Sequence, residues 1–121
     1  IAISTAPGGV SGAFNHLAYW VDNWQDVLHA ADIMMEHDIA MFGPGRHGIS
    51  QAMFLYVLDP GSGHKLEIFS GSYLIFDPDW EPVKWRREDL NLGITWWGPK
   101  RSAIPPEHYT GSVELATALR S

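Results

Sequence analysis

The first half of the chain alternates between runs of apolar residues and short polar breaks, which predicts a succession of regular elements. Residues 14–21 (FNHLAYWV) are mostly aromatic or aliphatic and stop at Asp22-Asn23, so we predict a strand there. Asn23 is suited to cap a helix, and apolar side chains then recur at helical spacing as far as His37. The following residues form the predicted buried stripe of this helix: Trp24, Val27, Leu28, Ala31, Met34 and Met35.

Three more strands are predicted after the helix. Residues 39–42 form a short candidate strand, which is expected to end at the breaker Gly43-Pro44-Gly45. Residues 52–58 form another, and the turn at 59–63 leads directly into a last strand at 64–70. Because these two strands are joined by a turn, they should pair as an antiparallel hairpin. The predicted order is βαβββ, an α+β module with the helix on the outer face of a half-open sheet.

The remainder of the chain is predicted to flank this module. Residues 1–13 are expected to be an incoming loop, residues 14–72 the βαβββ module, and residues 73–121 an extended tail rich in aromatic residues and proline. Such a tail commonly lies over a neighbouring layer or subunit. The open side of one half-open sheet needs another module to close it, and the chain begins with Ile1. We therefore expect this sequence to be part of a longer protein.

Composition narrows the function classes. The 121 residues are sufficient for one small domain, and the formal net charge of -6 argues against a nucleic-acid partner. The chain contains no cysteine, which excludes disulfides, cysteine-ligated zinc and iron–sulfur clusters. The sequence has neither a membrane-length apolar run nor a signal-peptide pattern, so we predict a cytoplasmic protein without a membrane partner.

His16 and Glu67 are the candidate metal ligands, because a histidine and a carboxylate belong to the set that binds non-haem iron. Taken alone, Glu67 also suits a solvent-facing position and His16 a structural one. If their strands line one face of the sheet, the two side chains can meet near its middle. Metal binding would then explain a carboxylate in an apolar sheet, where an unpaired charge is costly. No other histidine is a convincing third ligand.

His47 and Tyr56 are the candidate residues beside the metal. His47 follows a glycine-rich loop and could orient or protonate a bound oxygen species, although an exposed loop histidine is an equal alternative. Tyr56 lies within a strand, where a buried phenol usually has a hydrogen-bond partner, either a substrate or a backbone carbonyl.

Three stretches together carry a family resemblance: residues 14–21 (FNHLAYWV), 43–60 (GPGRHGISQAMFLYVLDP) and 64–71 (HKLEIFSG). In this order and spacing, the sequence resembles the C-terminal part of type I extradiol catechol dioxygenases, of the vicinal oxygen chelate superfamily. It is most similar to the homoprotocatechuate 2,3-dioxygenase branch and to catechol 2,3-dioxygenase. The resemblance covers roughly residues 12–99 and includes the TWWG feature of the tail.

The resemblance implies a role for several residues. His16 and Glu67 match two ligands of Fe(II), with Mn(II) as the alternative metal, and His47 and Tyr56 match residues that contact the substrate and the oxygen. Ile49 matches an apolar pocket position. The substrates would be a catechol and O₂. The third ligand and an acid–base histidine come earlier in family chains, so the partners would include a missing N-terminal part, and the resemblance implies a homo-oligomer.

Two positions depart from the homoprotocatechuate pattern. Phe42 and Ile94 stand where that branch places arginines that pair with the substrate carboxylate. This difference predicts an uncharged catechol carrying an alkyl, halogen or aryl substituent. Two alternatives stay open: a glyoxalase-type zinc or manganese enzyme of the same superfamily, and a binding module without catalytic activity.

Overall fold

The predicted βαβββ order is confirmed by the computed structural model, which describes residues 15–99; the predicted incoming loop and the end of the predicted tail lie outside them. The elements are β1 (Leu17–Trp20), α1 (Trp24–Glu36), β2 (Met41–Arg46), β3 (Met53–Leu58) and β4 (Lys65–Ser70). The strands form one sheet in the order β1-β4-β3-β2. β1 runs parallel to β4, and the other neighbours are antiparallel, including the predicted β3–β4 hairpin.

One face of this sheet packs against α1. Val27 and Ala31 of the helix are buried against Leu55 and Val57 of β3. Asn23 caps the helix as predicted, since its side-chain oxygen accepts a hydrogen bond of 3.1 Å from the backbone N–H of Asp26. Neither helix within residues 15–99 is long and apolar enough to cross a membrane.

The buried stripe of α1 is narrower than its sequence pattern predicts. Trp24 is 52% exposed and Met35 69% exposed, and Leu28 is also exposed. Helical spacing identifies which face of a helix is apolar but not how wide its packing partner is. Trp24 and Leu28 lie beside an open groove that also borders Trp20 and Trp97, so the sheet does not cover them.

β2 continues through the glycine–proline run that was predicted to end it. The pairing register with β3 shifts between Phe42 and Gly45, which is a bulge. Gly43 has a φ of +123°, and a Cβ at this position would lie 2.9 Å from the carbonyl oxygen of Phe54. Glycine therefore allows the strand to bend here without losing its partner. As a result, β2 reaches Arg46 and places His47 at its end, where the His47 backbone N–H donates to Ala52.

The described part of the tail differs from the predicted extended segment. Residues 73–86 contain no helix or strand, but a 3-10 helix (Arg87–Asp89) and a short helix α2 (Leu90–Ile94) follow. The chain then returns to its own sheet at a bridge between Arg46 and Trp97, where the Arg46 N–H donates to the Trp97 carbonyl and the Arg46 carbonyl accepts from the Trp96 N–H. The end of the described tail thus packs on the same module that it follows in sequence.

Replacing Leu55 by alanine should lower the free energy of unfolding by about 2–5 kcal/mol, because Leu55 is 0% exposed and the vacated volume is enclosed by the helix–sheet core. Chemical denaturation measures this change. The matched control is Leu74→Ala, since Leu74 is 72% exposed and its replacement should change stability by less than about 0.5 kcal/mol. Equal effects at both positions would contradict the assigned core.

Candidate metal centre

A row of paired residues crosses the face of the sheet opposite α1. Phe42 pairs with Tyr56, Tyr56 with Glu67, and Glu67 with Ala18. Because side chains two residues apart share one face of a strand, His16 projects to the same face as Ala18. The structure therefore brings together the predicted pair: Nε2 of His16 lies 2.9 Å from Oε2 of Glu67.

Glu67 is buried rather than facing solvent. Its residue is 8% exposed, and its second carboxylate oxygen, Oε1, lies 3.2 Å from Nε2 of His47. Burial by itself raises the pKa of Glu67, but hydrogen bonds from His16 and His47, together with the charges of these two residues, outweigh it and lower the pKa to about 2. The carboxylate is therefore ionised at neutral pH and faces an imidazole with each oxygen.

The protons of His16 bear on whether a cation fits between these groups. Nδ1 of His16 lies 2.5 Å from the side-chain oxygen of Asn15, and its Nε2 faces a Glu67 oxygen, so both ring nitrogens face acceptors. A neutral imidazole carries only one proton. A positive charge, from either a second proton or a metal ion, is needed between Nε2 and the carboxylate. Imidazole and carboxylate ligands suit manganese and iron, so the residues present fit such a metal.

Like His16, His47 directs its Nε2 at the Glu67 carboxylate, but at the other oxygen. Its Nδ1 donates to the backbone carbonyl of Ile94, and its Nε2 lies 3.2 Å from both Glu67 Oε1 and the hydroxyl of Tyr56. Burial raises the pKa of Tyr56, and the charge of Glu67 and a hydrogen bond to it raise it further. The phenol of Tyr56 thus keeps its proton and can act as a hydrogen-bond donor.

An aromatic wall borders these polar groups. Phe42 stacks on Phe54 and Tyr56, with ring centroids 5.9 and 6.4 Å apart, and His47 stacks on Phe54 at 4.2 Å. Lys65 is also on this face, with its Nζ 5.5 Å from the centre of the Tyr56 ring. The predicted pocket residue Phe42 therefore lies directly beside the candidate site.

Ile49 and Ile94 occupy the loop side of the site. Ile49 is exposed, and its backbone N–H donates to Gly93 over 2.8 Å. Ile94 contacts His47 through its backbone carbonyl. This backbone role was not predicted from the sequence, and neither were the contacts of Asn15 and Phe54. Phe54 could have been found from strand alternation, because it is two residues from Tyr56.

Two ligands are fewer than a catalytic metal usually has. Within residues 15–99, no group of three or more histidine, cysteine, aspartate or glutamate side chains is arranged to hold a metal ion. His29 and His37 are exposed on α1, away from the face that carries Glu67.

This chain is similar in sequence to known proteins. The chain is 59% identical over 102 residues to a manganese-dependent 2,3-dihydroxybiphenyl 1,2-dioxygenase from Geobacillus genomosp. 3. It is 42% identical over 120 residues to a metapyrocatechase from Geobacillus stearothermophilus. These matches cover 83% and 97% of this chain but only 32% and 36% of the relatives, so the chain spans about a third of their length.

Solved structures give the same relationship. Homoprotocatechuate 2,3-dioxygenase from Arthrobacter globiformis matches with a TM-score of 0.69 and 34% identity, over 84% of this chain and 31% of that one. An extradiol ring-cleaving dioxygenase from B. fuscum matches with a TM-score of 0.65 and 33% identity, over 84% of this chain and 28% of that one. The sequence model of one superfamily covers residues 2–68, more than half of the chain. The chain therefore belongs to the Glyoxalase/Bleomycin resistance protein/Dioxygenase superfamily, and its relatives are extradiol dioxygenases, as the three motifs predict.

Proposed function

We propose that this chain is the metal-binding C-terminal module of an extradiol dioxygenase that opens the ring of an uncharged catechol beside its diol. The observation that carries the proposal is the buried carboxylate of Glu67, whose two oxygens face Nε2 of His16 and Nε2 of His47. A buried carboxylate and two imidazoles that converge on one point are the ligand types that bind Mn(II) and Fe(II), so this arrangement suits a site that takes a divalent cation.

In this proposal, His16 and Glu67 would hold a divalent metal. The third ligand and an acid–base histidine would come from a part of the enzyme that precedes this module. When bound, the metal would supply Lewis-acid chemistry to the catechol. Fe(II) and Mn(II) both suit these ligands. Mn(II) is supported by the 59% identical relative, which is named as manganese-dependent.

The protein groups around the metal then have separate tasks. Tyr56, as a protonated phenol, donates a hydrogen bond toward charge that develops on the substrate or on oxygen. His47 presents Nε2 beside that phenol, where it can hold or pass on a proton. Phe42 and Phe54 form an apolar wall that holds the substrate ring and excludes water.

The aromatic wall also supports an uncharged substrate. Phe42 stands at one position where a carboxylate-binding arginine is expected. The neighbouring Arg46 is hydrogen-bonded to Gln51, through both the backbone oxygen and the side-chain oxygen of that residue. An aryl substituent could stack on Phe42, in keeping with a relative that is named for 2,3-dihydroxybiphenyl.

Phe42→Arg in the intact enzyme should therefore shift specificity toward carboxylated catechols. The ratio of kcat/KM for a carboxylated catechol to that for 2,3-dihydroxybiphenyl should rise by roughly 10-fold or more, since a new charge-assisted pair contributes about 1.5–3 kcal/mol. Phe76→Arg, at an exposed tail position, is the control. If the native enzyme already prefers carboxylated catechols, the assignment to uncharged substrates is wrong.

The surroundings of the module belong to the same proposal. The enzyme is proposed to be a cytoplasmic homo-oligomer, with this module closed by the preceding part of the same protein. The apolar side chains exposed on β1 and the tail support such covering, among them Leu17, Tyr19, Phe76 and Trp96. Expression of the intact protein, followed by metal loading and a catechol assay with and without O₂, tests the proposal. Turnover that does not require O₂ would instead favour a glyoxalase-type reaction.

A further inference from the structure

The loop that carries His47 is attached to the end of α2 by consecutive backbone contacts. Before His47, the backbone groups of Arg46 bond with Trp96 and Trp97 over 2.8 and 2.9 Å. After it, the N–H of Ile49 donates to the carbonyl of Gly93 over 2.8 Å. Between these attachments, the His47 ring itself donates to the Ile94 carbonyl. His47 is therefore held by the segment 93–97 as well as by the strand that precedes it.

Gly48 allows the two segments to approach closely. It is buried, and a Cβ added there would lie 2.3 Å from the carbonyl oxygen of Leu92 and 2.9 Å from the Trp85 ring. Because the nearer atom is backbone, a methyl group at this position has to displace α2. Across the same contact, a Cβ at Gly93 would lie 3.4 Å from Trp85, which is an ordinary packing distance.

The contact with Ile94 also fixes the orientation of the His47 ring. A carbonyl oxygen can only accept a hydrogen bond, so Nδ1 of His47 donates in this contact. With Nδ1 held in this way, Nε2 on the other side of the ring lies 3.2 Å from both Glu67 Oε1 and the Tyr56 hydroxyl. The end of α2 thus determines which ring nitrogen is directed into the site.

We propose that Gly48 and the backbone carbonyl of Ile94 are positioning groups for His47. Gly48 allows α2 to dock on the loop, and the docked Ile94 carbonyl accepts from Nδ1–H and holds the ring with Nε2 directed into the site. The kinetic consequence rests on the proposed dioxygenase function, whereas the orientation of the ring does not.

Gly48→Ala and Gly93→Ala in the intact enzyme test the kinetic consequence. Each adds one methyl group beside the Trp85 ring, but only the methyl group at Gly48 also meets the backbone of α2. Gly48→Ala should lower kcat about 100-fold, with KM for the catechol and bound metal unchanged, since small displacements of a reacting group have effects of this order. Gly93→Ala should stay close to the native kcat. A Gly48→Ala enzyme with native kcat, or equal losses in both variants, overturns the proposal.

Ring-nitrogen NMR of the metal-free protein labelled with ¹⁵N-histidine tests the contact between Nδ1–H and the Ile94 carbonyl independently of catalysis. His47→Asn identifies the His47 signals among those of the 6 histidines. The native protein should show a protonated Nδ1 on His47, and Gly48→Ala should lose that signature. An unprotonated Nδ1 in the native protein overturns the proposal, even if Gly48→Ala fails to fold. If the enzyme cleaves no catechol but the Nδ1–H is present, the dioxygenase function fails and the positioning role is retained.

Discussion

Glu67→Ala should abolish metal retention in the intact enzyme, and turnover with it. The substitution removes a carboxylate that is proposed to bind the metal and leaves the Nε2 atoms of His16 and His47 without the acceptor they share. Loss of a ligand from a site of few ligands should reduce metal affinity by more than the roughly 10–100-fold typical of supporting residues. Metal content after gel filtration, measured by elemental analysis, gives the result directly.

Two variants control the Glu67 experiment. Glu81→Ala removes an exposed carboxylate and should leave metal content unchanged. Glu67→Gln keeps the size of the side chain but loses its charge, so it should also lose metal while retaining more of the native stability than alanine. A Glu67→Ala enzyme that kept its full metal content would remove Glu67 from the ligand set.

Tyr56→Phe should slow turnover by roughly 10²–10³-fold and leave metal content unchanged. The substitution removes only the hydroxyl, which lies 3.2 Å from Nε2 of His47. The ring that remains can keep its packing against Phe42 and Phe54. Steady-state kinetics and elemental analysis of the same preparation separate the two effects.

Tyr73→Phe is the matched control for Tyr56→Phe, because Tyr73 packs against Trp80 in the tail rather than in the site. It should have the native rate. The separate roles of ligand and hydrogen-bond donor would be contradicted if Tyr56→Phe lost as much metal as Glu67→Ala.

Much of the fold was predictable because periodicity is a local property of the chain. The alternation in residues 64–70 and the turn before them identify β4 and its hairpin with β3, and the resulting register places Tyr56 opposite Glu67. The width of the α1 stripe was not predictable, since it depends on how the sheet lies beneath the helix. Trp24 follows the helical pattern and is nevertheless exposed beside a groove.

The candidate site, like the fold, was predictable only in part. His16 and Glu67 were candidates by residue type, and only the family resemblance matched them to ligand positions; the structure brings their side chains together. The link between His47 and Ile94 could not be predicted, because a backbone carbonyl has no sequence signature. The continuation of β2 through Gly43 was also missed, since glycine marks turns and bulges alike.

The proposed role of this chain as the metal-binding module of an extradiol dioxygenase can be tested on the intact enzyme, loaded with Mn(II) or Fe(II). Turnover of 2,3-dihydroxybiphenyl is measured with O₂ uptake and product mass followed together. We expect metal-dependent uptake of one O₂ per substrate and a ring-opened product heavier than the substrate by the mass of O₂. An enzyme that binds metal through His16 and Glu67 but cleaves no catechol with either metal would contradict it.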